Sequence, residues 1–111
     1  METTRRIYRA NDLIPFEPTH PGEVLREELE SRGISQRKFA AVIGMQSSAL
    51  NEIVNGKRSV SIDFAIILEA ALGIDAMFWV NLQIRYNMQT ARKDSKLSER
   101  LNQIRKVAAM L

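Results

Sequence analysis

Apolar residues recur at helical spacing along most of this chain, in short stretches separated by single glycines, serines or aspartates. Residues 1–20 are the exception. Arg5, Arg6 and Arg9 sit there among Ile7, Tyr8, Leu13, Ile14 and Phe16, while Pro15 and Pro18 forbid a continuing helix. The pattern predicts an extended arm that orders by packing on its own domain, on a partner or on DNA. A first helix opens at Pro21, a residue favoured at the first helical position, with His20 or Thr19 as its cap, and runs to about Arg32 before Gly33. Val24, Leu25 and Leu29 face its core. Glu23, Glu27 and Glu30 share the opposite side, as a solvated face or an acidic contact surface.

Gln36 to Arg58 predicts two short helices joined by a tight turn. In the first, capped by Ser35, Phe39, Ala40 and Ile43 recur at helical spacing, and Gly44 follows where the chain must turn sharply. In the second, Leu50, Ile53 and Val54 form a narrow apolar stripe, and Asn55-Gly56 ends it. Its other side carries Ser47, Ser48, Asn51, Glu52 and Asn55, all but Glu52 short and uncharged. A buried helix needs no polar face, and an ordinary surface helix carries longer charged side chains. Such a face, ringed by Lys57 and Arg58, suits a helix laid in the DNA major groove. Gln36, at a helix start whose backbone N–H groups are free, is either a phosphate contact or a plain capping position. Lys57, Arg58 and Ser59 place two cations and a hydroxyl beside the groove helix, where phosphate contact is their natural role.

Ser61 caps a fourth helix over Ile62–Leu72, with Phe64, Ala65, Leu68, Ala71 and Leu72 as its buried set and Gly73 as its stop. Asp75 caps a fifth, on which Phe78, Trp79, Leu82 and Tyr86 share a broad apolar stripe, either core or a dimer seam. A break is expected near Asp94-Ser95, since both favour caps over helix interiors. Beyond it Leu97, Leu101, Ile104, Ala108 and Leu111 alternate spacings of four and three, a stripe suited to pairing with a second helix or to packing back on the same domain.

Composition narrows the class. At 111 residues the chain supports one modest core, and few Gly and Pro with no alternating β-branched runs make it all-α. Lys plus Arg at 16 barely exceeds Asp plus Glu at 13, so the net charge of +3 matters less than the local basic patch. With no cysteine and His20 as the single histidine, thiolate chemistry and two-histidine metal sites are excluded, and the isolated glycines form no phosphate-binding loop. No enzyme, no metal, no cofactor and no small-molecule ligand are expected. The amino terminus lacks the apolar core of a signal peptide, and apolar runs such as Phe64–Leu68 are far too short for a bilayer span, so a cytoplasmic protein with no membrane partner is expected.

Three stretches resemble the HigA-type antitoxins, also described as plasmid-maintenance antidote proteins, of the lambda-repressor-like (XRE) helix-turn-helix group. They are HPGEVLREEL at 20–29, SQRKFAAVIG…LNEIVNGKRSVS at 35–61 and AMFWVNLQIRYNMQTARK at 76–93, covering about two thirds of the chain. The middle stretch carries the general group, and HPGE and FWVNLQ carry the family. The resemblance implies a five-helix domain over residues 21–93, preceded by the arm at 1–20 and followed by an extra helical tail at 94–111. It implies a dimer that represses its own operon at a palindromic operator and neutralises a HigB-type, RelE-like mRNA endonuclease toxin. Matched position by position, the group's first-turn phosphate Gln falls on Gln36, its packing Ala on Ala40 and its turn Gly on Gly44. Its base-reading positions fall on Gln46, Ser47, Ser48, Asn51 and Glu52, and its following backbone contacts on Asn55, Lys57 and Arg58. HigA-like recognition helices often begin with an Arg that can grip guanine. Ser47-Ser48 stands here instead, which implies weaker or less selective base contacts, while Glu52 suits cytosine N4 and not phosphate.

A homodimer is expected, with a seam drawn from Phe78, Trp79, Leu97, Leu101 and Ile104. A toxin surface is expected on the arm, through Ile7, Tyr8, Leu13, Ile14 and Phe16, with Glu23, Glu27 and Glu30 beside it. Two other functions stay open on the sequence: a stand-alone transcriptional regulator of this fold without a toxin, and a protein-interaction module whose groove helix no longer binds DNA.

Overall fold

A computed structural model describes residues 18–111; the arm residues Ile7, Tyr8, Leu13, Ile14 and Phe16 lie outside the described residues. Among the described residues there are six helices and no strands: α1 Pro21–Ser31, α2 Gln36–Ile43, α3 Ser47–Val54, α4 Ile62–Leu72, α5 Ala76–Arg92 and α6 Ser95–Ala108. The all-α class and the extra C-terminal helix are as expected from the sequence.

Every start but that of α3 has a side-chain cap. The side chains of Ser35, Ser61, Asp75 and Asp94 accept from backbone N–H groups in the first turns of α2, α4, α5 and α6, contacts typically worth about 0.5–2 kcal/mol each. At α1 the cap is His20, whose Nδ1 accepts from Gly22 N at 2.8 Å. Gly44, with φ 70°, closes α2 in the left-handed conformation that a glycine adopts without strain. The break between α5 and α6 falls at Lys93-Asp94.

The core joins α1 to α5 through Leu25, Leu29, Phe39, Ala40, Leu50, Ile53, Val54, Val60, Phe64, Ala65, Leu68, Leu72 and Trp79. Val24 is only half-buried against it. Two sequence expectations are corrected. Ala71, assigned to the buried set of α4, is exposed. Trp79, assigned to a dimer seam, is 0% exposed and belongs to the chain's own core, so it cannot line a contact with a second copy. Adjacent residues on a helix point about 100° apart. Facing Trp79 inward therefore leaves Phe78 at the rim, edge-on to the Trp79 ring at 5.2 Å and 43% exposed.

Two polar residues tie the layers together. Buried Gln83, one turn after Trp79, accepts from Val60 N at 2.7 Å and donates to Asn87 Oδ1 at 2.9 Å, giving the α3–α4 loop's backbone a partner inside the protein. Arg32 donates to the Leu72 carbonyl at 2.8 Å and pairs with Glu28 at 2.7 Å, placing a cation at the carboxyl end of α4.

The position of α3 is set by close backbone contact. A Cβ at Gly22 would lie 1.9 Å from the Ile53 carbonyl oxygen, so glycine at the start of α1 is what lets α1 lie directly on the end of α3. Helix α6 packs on the end of α5 and contributes no buried residue. Leu97 and Leu101 are half-buried, whereas Ile104 and Val107 are 49% and 66% exposed.

Candidate nucleic-acid interface

Helix α3 divides along its length. Leu50, Ile53 and Val54 are buried, while Ser47, Ser48, Asn51, Glu52 and Asn55 are exposed on the other side. Gln46, also exposed, occupies the N-cap position without making a capping bond with its side chain. The start of α2 comes alongside: Gln36 Oε1 accepts from Asn51 Nδ2 at 3.2 Å. Gln36, Arg37, Ser47, Ser48 and Asn51 together line one shallow depression. Residues from two helices, separated by a turn in the sequence, thus form one polar surface.

The loop after α3 completes its edge. Lys57, Arg58 and Ser59 are exposed beside it. Arg58 is not a free cation, however. Its Nε and Nη2 donate to the same oxygen of Glu52 at 3.0 and 2.6 Å, with both side chains about half exposed. An exposed pair of this kind contributes only about 0–1 kcal/mol, so a phosphate can draw the guanidinium away at small cost. While the pair holds, it neutralises the carboxylate that would otherwise repel a phosphate.

Two residues that the sequence pattern did not single out belong to this surface. Arg37 lines the depression beside Gln36, and its position next to the capping region was the available signal. Arg26, on α1, donates to Asn55 Oδ1 at 2.6 Å, with a longer contact to the Val54 carbonyl at 3.5 Å. No spacing rule links residues 26 and 55; only the packing of α1 on α3 brings them together.

Behind the surface, His20 is buried with its ring edge-on to Tyr86 at 4.8 Å. Burial pushes its pKa below the ordinary imidazole value of 6.5, and the nearby Glu23 carboxylate opposes that shift. The neutral ring is also the form that can accept from Gly22 N. On the outer side of α1, Glu23, Glu27 and Glu30 are exposed as expected. Glu30 shares a recess with Arg26, Ser35 and Gln36, so the acidic stripe reaches the border of the polar surface. Among the described residues no group of three His, Cys, Asp or Glu side chains converges as a metal site requires, and no helix is long and apolar enough to cross a membrane.

Comparison with known proteins places this geometry. The helix-turn-helix family profile matches residues 25–79, which span α1 to the start of α5. An addiction-module antidote protein of the HigA family from Coxiella burnetii superposes with a TM-score of 0.71 at 32% identity, covering 79% of this chain and 95% of that one. The chain belongs to the HigA-type helix-turn-helix family. A second HigA-type structure, the Pseudomonas aeruginosa antitoxin HigA with the higBA promoter, has a TM-score of 0.69 at 36% identity and covers 76% of this chain and 94% of its own. Virulence-associated protein I of Dichelobacter nodosus is 38% identical over 78 residues, 69% of this chain and 72% of that protein. The HigA-type family is one of DNA-binding regulators and antitoxins rather than enzymes.

Proposed function

We propose that this HigA-type protein is an antitoxin that represses its own operon, binding a palindromic operator as a homodimer and neutralising a HigB/RelE-like mRNA endonuclease. The observation that carries the DNA half is the exposed side of α3, made of Ser47, Ser48, Asn51, Glu52 and Asn55 and hydrogen-bonded to Gln36 at the start of α2. Similarity over nearly the whole of a HigA solved with promoter DNA supports the same assignment.

In this proposal α3 enters the major groove. Ser47, Ser48 and Asn51 meet base edges, with Gln46 and Glu52 flanking them, and Gln36, Asn55, Lys57, Arg58 and Ser59 hold the phosphates on either side. Arg58 moves from Glu52 to phosphate on binding, and the released carboxylate is then free to accept from a cytosine amino group. A single module of this size buries too little surface for tight specific binding, so two copies engage half-sites about one helical turn, roughly 34 Å, apart. Phe78, Leu97, Leu101 and Ile104 remain the residues proposed for the seam, Trp79 being excluded by its burial.

The toxin side rests on charge. A nuclease that handles mRNA presents a basic surface, and Glu23, Glu27 and Glu30 offer it exposed carboxylates on α1, with the arm residues Ile7, Tyr8, Leu13, Ile14 and Phe16 supplying apolar anchors. Because Glu30 borders the polar surface, a toxin seated on α1 lies next to the operator rather than far from it.

Footprinting on the protein's own promoter tests the DNA half. Joint replacement of Ser48 and Asn51 by alanine is expected to reduce discrimination between operator and random DNA, and an unchanged footprint refutes the groove assignment. Co-expression with the neighbouring reading frame tests the toxin half. Full growth rescue by a folded protein lacking residues 1–17 and reversed in charge at Glu23, Glu27 and Glu30 refutes both proposed toxin surfaces.

A further inference from the structure

A chain of hydrogen bonds runs from α1 across the end of α3 to the start of α2. Arg26 Nη2 donates to Asn55 Oδ1 at 2.6 Å, Asn55 Nδ2 donates to Asn51 Oδ1 at 2.9 Å, and Asn51 Nδ2 donates to Gln36 Oε1 at 3.2 Å. Three of its four members are primary amides, which can present either a donor or an acceptor on a given side. The fourth, the guanidinium, can only donate.

That asymmetry gives the chain a direction. Because Arg26 donates, Asn55 must turn its oxygen inward, which points its NH2 at Asn51. Asn51 then turns its oxygen to Asn55 and its NH2 to Gln36, and Gln36 accepts through Oε1. What remains at the outer end is the Gln36 NH2, a pure donor suited to a phosphate oxygen. Reversing any amide sets two donors or two acceptors against each other, so each member constrains the next.

We infer that Arg26 is a positioning residue for DNA recognition: it touches no DNA itself, and through Asn55 and Asn51 it fixes which atoms α3 and Gln36 present to the operator. This rests on the proposal that α3 reads DNA. Without Arg26 the amides are free to adopt either orientation, and operator binding must select one of them, which scales the apparent affinity down to the fraction correctly oriented.

The test uses the full-length protein with Arg26→Met, Arg26→Lys, Asn55→Ala and the Arg26→Met/Asn55→Ala double variant. In DNA-free protein, side-chain amide NMR resonances of Asn55, Asn51 and Gln36 are all expected to shift in Arg26→Met and to stay near wild type in Arg26→Lys, whose ammonium also donates. In binding, Arg26→Met is expected to lower the operator-to-random affinity ratio by roughly two- to eightfold, the range from one concerted reversal of the chain to three independently oriented amides. Arg26→Lys restores most of that ratio. The double variant loses no more than Asn55→Ala alone, because Arg26 acts only through Asn55. Unmoved Asn51 and Gln36 resonances in Arg26→Met, an unchanged ratio, or fully additive losses each overturn the inference. A wild-type protein that fails to prefer its operator overturns the DNA-binding proposal instead, and the amide spectra then decide the role of Arg26 alone.

Discussion

A single methyl group at Gly22 is expected to disrupt the fold more than one at the turn glycine of the helix-turn-helix. An alanine Cβ there would fall 1.9 Å from the Ile53 carbonyl oxygen, 2.8 Å from its carbon and 3.0 Å from His20 Nδ1. Carbon and oxygen approach comfortably only to about 3.3 Å, so α1 must retreat from α3 by more than about 1 Å or the last turn of α3 must fray. A gap of about 0.5–1 Å already forfeits a quarter to a half of each dispersion contact across it. Leu25 on α1 and Leu50, Ile53 and Val54 on α3, none more than 2% exposed, are the core residues of the two helices joined by this contact. The combined loss is about 3 kcal/mol, the upper part of the range for over-packed interiors. For a domain of this size that lowers Tm by at least about 12 °C. Gly44→Ala is the control: with φ 70° and no atom within 4 Å of the added Cβ, it suffers only left-handed strain of about 1–2 kcal/mol. Urea unfolding followed by fluorescence of the single tryptophan, Trp79, compares the two. A Gly22→Ala midpoint equal to or above that of Gly44→Ala refutes the claim that α1 is held rigidly on α3.

Glu52→Gln, which releases Arg58 from its ion pair at 2.6 Å, is expected to strengthen binding to operator and random DNA alike and to raise the salt slope by up to roughly one, read from titrations at several salt concentrations. Lys57→Ala acts in the opposite direction, weakening both DNAs and lowering the slope by a similar amount. Because His20 is held neutral in the fold, its contribution to stability is complete above the ordinary imidazole value of 6.5 and is lost as pH falls from there towards and through the lowered folded pKa. Unfolding midpoints measured from pH 8 to pH 5 should therefore decline in wild type, and His20→Asn, which keeps a side-chain acceptor for the Gly22 N–H, should flatten that part of the profile. Replacing Phe78 and Ile104, 43% and 49% exposed, by serine is expected to shift sedimentation towards a 12.6 kDa monomer while lowering the unfolding free energy of the monomer by no more than about 0.5 kcal/mol, whereas Trp79→Ala should destabilise the fold itself by about 3–5 kcal/mol.

Local rules sufficed for the helices and their ends. Ser35, Ser61, Asp75 and Asp94 cap as their positions suggest because capping involves groups only two or three residues apart, and Gly44 turns the chain because of its own missing side chain. The polar side of α3 was legible for a similar reason: helical periodicity alone separates Ser47, Ser48, Asn51, Glu52 and Asn55 from Leu50, Ile53 and Val54. Periodicity could not say which of Phe78 and Trp79 faces inward, since an apolar stripe that broad accommodates either. The answer depends on where α1 and α4 lie, and they enclose Trp79. Nor could it reveal that Gln83 is buried, because an amide within an apolar stripe looks misplaced until the Val60 N–H that it accepts from is brought over it. The reach of Arg26 to Asn55 is likewise a product of packing, while the pairing of Glu52 with Arg58, on either side of the turn that ends α3, depends on how that turn folds back. Which side chains exist on the DNA face follows from one helix's periodicity; which of their donors and acceptors remain free depends on a neighbour from α1, placed there because Gly22 lets two backbones touch.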